Sequence, residues 1–103
     1  MNNNQARQGD IYFTRVEEGT IPEEAEVIKD GIIARGESTG HTHMISNASQ
    51  AVLMMVAGIA YIKAMQDCQI VHQEHGTIDL PAGEWQITYQ KQYTPKGWNP
   101  ILD

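Results

Sequence analysis

Four histidines stand in this 103-residue chain as two close pairs, His41 with His43 and His72 with His75. Neutral imidazole is a Lewis base at physiological pH, which makes it a common metal ligand and a carrier of protons. On a β-strand, residues two apart share a face, so His41 and His43 present two ring nitrogens to one point while Thr42 faces away. That is half of a metal site. His72 and His75 are three apart and would separate on a regular strand. Gln73, Glu74, His75 and Gly76 have the composition of a strand end or turn, however, and a bend there brings both rings round. If the strand carrying His41 lies beside or faces the one ending at His72, three or four imidazoles converge. Such a set suits Zn, Fe, Ni, Mn or Cu at about 2.0–2.2 Å.

Two carboxylates lie close in sequence to the pairs, Glu37 and Glu74. Each has three roles open to it: ligand, general base acting on metal-bound water, or acceptor that orients a ring. The plainer alternative is that Glu74 is a solvated turn acid and Glu37 a loop acid. Neighbouring histidines also occur as hydrogen-bonded structural residues without a metal. Ser38, Thr39 and Ser46 lack the strand, tight turn and helix of a nucleophile elbow. Cys68, four residues before His72, has no second Cys at ligand spacing and sits in an apolar stretch, the setting of a core thiol. Gly36 and Gly40 bracket a polar loop, but no Lys follows and no helix opens there, so a phosphate loop is not indicated. Met54 and Met55, with Met44 and Met65, read as core or as an oligomer surface.

The elements that must position these groups read as strands. Ile11 to Val16 is β-prone, and Glu17 to Glu24 is an acidic loop with Gly19 and Pro22. Ala25 to Ile28 and Ile32 to Arg35 flank Asp30 and Gly31, a dipeptide favoured in type I′ turns, and predict a hairpin. Val52 to Val56 and Ile59 to Ala64 flank Ala57 and Gly58 and predict a second. Ala51 to Met65 is also compatible with a buried helix, but Gly58 would cost a helix about 1 kcal/mol, which favours strands. Cys68 to His72 and Thr77 to Leu80 are further short apolar pieces. In Trp85 to Tyr93, the residues Trp85, Ile87, Tyr89 and Tyr93 alternate with polar ones, and Lys91 marks where that row runs out to solvent. Pro95 to Pro100 cannot continue a central strand, although Trp98 can pack as a cap. The sum is an all-β, single-domain barrel or sandwich of about seven or eight short antiparallel strands. A polar, loose N-terminal segment occupies residues 1–8, with the β domain over 9–103.

Composition narrows the function. Seven Lys and Arg against thirteen Asp and Glu give a formal charge of −6, with the basic residues scattered, which disfavours nucleic acid as a partner. The apolar run Ala51 to Ile62 is interrupted by Gly58 and falls well short of the roughly 20 residues of a membrane helix. The opening residues lack the apolar core of a secretory signal, and one Cys cannot form an intrachain disulfide, so a cytoplasmic location is expected. At this length roughly two thirds of the unfolded chain's surface is hidden on folding, and added stability from a metal or an oligomer is expected.

Gly36, Glu37, Ser38, Thr39, Gly40, His41, Thr42, His43 form one motif, and His72, Gln73, Glu74, His75, Gly76, Thr77, Ile78, Asp79, Leu80, Pro81, Ala82, Gly83 form another. Together they resemble a group of small, uncharacterised bacterial and phage-associated proteins. That group carries a Gly, Glu, small, Thr or Ser, Gly, His, any, His stretch. A His, any, Glu, His segment then precedes an apolar residue, Leu, Pro and Gly, and a closing strand follows. The resemblance spans Gln8 to Pro95. It implies that His41, His43, His72 and His75, with Glu37 and Glu74, are the functional positions, and it supplies no activity. A basic residue followed by an acid often precedes the last aromatic of the group, whereas Gln92 stands before Tyr93 here. A looser likeness is to the cupins, small β-barrels that bind a metal through a His, any, His pair and a later His. In cupins the second His follows the Pro and Gly turn, and here the pair precedes it.

The leading expectation is therefore a His-rich metal-binding β protein, expected to form a homo-oligomer, in which His41, His43, His72 and His75 surround a divalent transition metal. As an enzyme it would use metal-activated water or dioxygen on a small molecule, with Glu74 or Glu37 carrying the proton. An open coordination position then requires that three His bind and the fourth serve substrate or proton transfer. The rivals are a non-catalytic module whose four His close the metal's shell, and a metal-free interaction protein such as a phage accessory or structural component.

Overall fold

The computed structural model describes residues 4–36, 40–47 and 49–90 with their side chains, and the backbone of 92–94 and 97–99. The strands are β1 (Gln5–Gln8), β2 (Ile11–Val16), β3 (Glu26–Ile28), β4 (Ile32–Arg35), β5 (Thr42–Ile45), β6 (Ala51–Val56), β7 (Ile59–Ala64), β8 (Cys68–Val71), β9 (Ile78–Leu80), β10 (Gly83–Tyr89), β11 (Gln92–Thr94) and β12 (Gly97–Asn99). One sheet has the order β1-β2-β10-β7-β6-β3, the other β4-β5-β8-β9, and β11 with β12 forms a separate ribbon. Every pairing is antiparallel. The strands outnumber the seven or eight expected because β1 lies in the segment expected to be loose, the strand expected over Trp85 to Tyr93 ends as β10 at Tyr89 with β11 separate, and β12 lies in the Pro95 to Pro100 stretch. No described helix is long and apolar enough to cross a membrane.

The two larger sheets share one core. The six-stranded sheet contributes Ile11, Phe13, Leu53, Ile62, Trp85 and Ile87, and the four-stranded sheet contributes Ile33, Ala34, Ile45, Cys68, Ile70 and Leu80. The result is an all-β sandwich. It is not a closed barrel, since β1 and β3 bound one sheet and β4 and β9 the other. In β10, Trp85 and Ile87 are buried while Gln86 and Thr88 are not, as the alternation dictates. The Arg15 guanidinium lies 5.0 Å from the Trp85 ring and donates to the Ala82 carbonyl, and the Trp85 indole donates to Pro81. The turn ahead of β10 is thereby fastened to its own strand.

The two expected hairpins part company. β6 and β7 pair along their full length around Ala57 and Gly58, whose φ values of 52° and 78° are the two positive angles of a type I′ turn. Asp30 and Gly31 also make a turn: the Asp30 carboxylate accepts the Ile32 N–H, and Gly31 has φ 67°. Yet β3 pairs with β6 and β4 with β5, so this turn is a corner between sheets rather than a hairpin. The register shift between Ile32 and Ala34 in the β4–β5 pairing leaves Ile33 and Ala34 buried side by side. The N-terminal segment also differs from expectation. Its residues 5–8 form the edge strand β1 on β2, where polar side chains are tolerated. Lys91 and the Trp98 side chain lie outside the described residues.

Glu84 crosses from Lys63 on β7 and accepts N–H bonds from Gly19 (2.9 Å) and Ile21 (3.0 Å), pinning the acidic loop between β2 and β3. The Gly19 N–H, helped by Ile21 and Lys63 against the opposing effect of burial, holds this carboxyl below the usual range. A depressed carboxyl pKa stabilises the fold above the unfolded-state value, near 4.3, and that contribution fades as pH falls through the folded-state pKa. Glu84→Gln is therefore expected to lower the urea midpoint at pH 7, with the gap to the parent closing in acid. Ala57→Asn, which suits a positive φ, is expected to stabilise by about 0.5–1 kcal/mol in the same urea titrations.

Candidate functional site

β5 turns His43 inward with Ile45, and His43 is 0% exposed. β8 runs antiparallel beside β5, with Met44 opposite Val71 and Ile45 opposite Ile70. Continuing that register past Val71 delivers His72 to His43, and their ring centroids are 4.3 Å apart. His41, one residue ahead of β5, reaches the same ring edge-on at 5.5 Å. The bend expected after His72 is present and has a definite cause. His72 Nδ1 accepts the backbone N–H groups of Glu74 (2.9 Å) and His75 (3.0 Å), which folds the chain back over its own imidazole. The His75 ring then lies 4.5 Å from His72 and 5.8 Å from His43, nearly parallel to the latter. Gln73 clamps the two strand ends together: its carbonyl accepts the Thr42 N–H, and its amide donates to the Thr42 hydroxyl.

All four histidines singled out in the sequence thus come together. Glu74 is placed with them, its Oε1 3.3 Å from His41 Nδ1, an ion-pair distance with the carboxylate side chain 66% exposed. Glu37, Ser38 and Thr39 lie outside the described residues. The flanking glycines are bonded to the described chain: the Gly36 N–H donates to the His41 carbonyl and the Gly40 N–H to the Gly36 carbonyl. Cys68 does not join the site as a thiolate. Burial, then the charges of Asp67 and Asp79, push its thiol up to about 11. Among the described residues, no three donors from His, Cys, Asp and Glu already stand in a metal-holding arrangement. The rings are gathered, and a cation would require them to turn.

One residue of the site carries no sign in the sequence. Gln8, the last residue of β1, is 2% exposed. Its amide nitrogen donates to the Ile70 and Gly76 carbonyls, both at 2.9 Å, and its Oε1 lies 2.9 Å from His43 Nδ1. A glutamine ending a polar segment gives no hint of burial. The adjoining Gly9 was the available clue: it has φ 59°, and a Cβ there would stand 2.7 Å from His75 Nε2. The β1–β2 turn is therefore the seat on which His75 rests.

Gln8→Leu strips the partner from two carbonyls and from the His43 ring, and is expected to cost roughly 2–4 kcal/mol of stability in urea unfolding. Gly9→Ala is expected to displace the His75 ring resonances in NMR spectra while those of Trp85 stay in place; unchanged His75 resonances would refute the packing described.

A family model for a domain of unknown function, DUF8820, matches residues 7–90, a span that holds Gln8 and all four histidines. No curated protein and no solved structure matches the chain.

Proposed function

The protein belongs to the DUF8820 family, and for this member we propose a divalent transition metal site, for Zn, Fe, Ni or Mn, built from His41, His43, His72 and His75. The observation that carries the reading is the convergence of four imidazoles from two separate chain segments, with neighbouring centroids 4.3–5.8 Å apart. The setting supports it further. Metal-binding imidazoles are commonly steadied by an acceptor on their other nitrogen. Gln8 Oε1 stands in that relation to His43, and the Glu74 carboxylate lies at ion-pair distance, 3.3 Å, from His41 Nδ1. The cupin comparison adds a parallel of layout, a His, any, His pair entering a strand of a two-sheet β domain.

A catalytic reading is favoured by the exposed side of the cluster. There Glu74 and the 26%-exposed His41 side chain meet solvent, within reach of a small-molecule ligand. Glu74 is then the proton carrier of metal-assisted chemistry on that ligand. A homo-oligomer, and a place among phage or prophage accessory proteins, belong to the same proposal as wider context.

The test is metal content by plasma mass spectrometry on tag-free protein, beside His41→Ala/His43→Ala and the less buried pair His41→Ala/His75→Ala, each checked for folding by circular dichroism. The expected result is near-stoichiometric metal in the parent and a loss of at least tenfold in both folded variants. A parent that stays metal-free after incubation with Zn, Fe, Mn and Ni would leave the rings as a hydrogen-bonded structural cluster.

A further inference from the structure

We infer that an open cleft at the other end of the six-stranded sheet from the histidines binds a small organic monocarboxylate, with Arg15 taking the carboxylate and Lys63 compensating its charge. The inference is independent of the metal reading, since the two places share no residue. β2 begins beside Gln8, at the histidine end, and finishes with Val16 opposite Glu84 of β10. Glu84 in turn stands opposite Lys63 of β7, and Gly83 opposite Ala64, so three strands end together there. The space beside them is about 480 Å³, a volume typical of small-molecule sites. Val16, Ala64, Met65 and Ala82 give it apolar wall. Met65 is 51% exposed, a large apolar side chain left in water that the body of a ligand would cover.

The Arg15 guanidinium is held in position at the wall of this cleft. It lies 5.0 Å from the centre of the Trp85 ring, and its Nη2 donates to the Ala82 carbonyl at 3.0 Å. Gly83 runs alongside it, since a Cβ there would stand 3.6 Å from Arg15 Cζ and Nε. Ala82 and Gly83 both line the cleft. The Ala82 carbonyl is the one acceptor this side chain has among the described residues, and Nε is buried with no hydrogen-bond partner at all. A guanidinium offers several N–H donors in a planar fork, and leaving them unpaired away from water is unfavourable. The acceptor whose shape matches that fork is a carboxylate.

Charge selects a monoanion. Two cations, Arg15 and Lys63, and two carboxylates, Glu18 and Glu84, line the cleft. Neither cation makes an ion pair among the described residues. Glu84 is already engaged, accepting the Gly19 and Ile21 N–H groups, whereas Glu18 is exposed. A single negative charge placed against Arg15 and Lys63 is compensated. A second one, as on phosphate or a dicarboxylate, would meet Glu18 and Glu84 without a further cation to balance it. The apolar wall then favours a carboxylate that carries a hydrocarbon body over a bare inorganic anion.

Hexanoate is the probe, followed by NMR at pH 7 on the whole chain. It is expected to shift the Met65 methyl and Trp85 indole resonances saturably, while hexylamine and sulfate leave them in place. Arg15→Lys keeps the charge and removes the fork, and is expected to weaken hexanoate by about tenfold, with Lys63→Gln weakening it by about threefold. Arg35→Gln, at an exposed cation on the other sheet, is expected to leave the affinity unchanged. Shifts that stay linear with concentration, an equal response to hexylamine or sulfate, or full hexanoate affinity in Arg15→Lys would each overturn the inference. Circular dichroism checks folding. Lys63→Gln alters an exposed side chain and decides the matter if the Arg15 variant does not fold, an unchanged affinity there counting against the site.

Discussion

The Gln8 side chain ties the two layers of this protein together at the point where its chemistry is gathered. Its backbone belongs to the six-stranded sheet, while Ile70, which accepts one of its amide protons, belongs to β8 of the other sheet. The second amide proton goes to Gly76, in the loop that carries His75, and the oxygen goes to His43. A buried primary amide is costly to leave unsatisfied and specific once satisfied, because its two ends are chemically different. This one spends three contacts on three separate pieces of chain. The apolar core determines that the sheets pack; the amide determines how they meet at the histidine end.

Much of the architecture was legible because it rests on short-range rules. The alternation through Trp85 and Ile87 marks the central strand, and the Ala57–Gly58 pair marks a turn whose two positive φ values only a hairpin of that hand requires. The Asp30–Gly31 turn shows the limit of such rules. Local chemistry specifies that the chain reverses there, but the two arms pair with β6 and β5 rather than with each other, which the turn alone does not specify. Likewise the His41 and His43 spacing announced a shared face, whereas the approach of His72 depends on the register of β5 with β8. Gln8 was illegible for the same reason. Its partners are 35 to 68 residues away, and nothing in its own neighbourhood distinguishes it from a solvated residue.

The cluster also illustrates how a backbone can set the chemistry of a side chain. Around His72 the donors are main-chain N–H groups of the very next turn, a feature that survives any substitution leaving the bend in place. Cys68, by contrast, sits on the same strand and is kept inert by burial and by its acidic neighbours. Reactivity here is allotted by surroundings more than by residue type.

β10 lies between β2 and β7 in the six-stranded sheet, although it is the last of that sheet's strands to be made. During synthesis the chain up to Ala82 therefore exists with both flanking strands present and the place between them open. β2 and β7 cannot bond to one another in the native register, and the apolar rows of Phe13 and Ile62 face a gap that only Trp85 and Ile87 fill. Assembly of the sheet thus waits for the C-terminal portion of the domain, and so does the firm seating of β1, whose hydrogen bonds reach the sheet only through β2. The central strand of the sheet is thus joined through contacts of long sequence separation, the kind whose loop-closure cost slows folding.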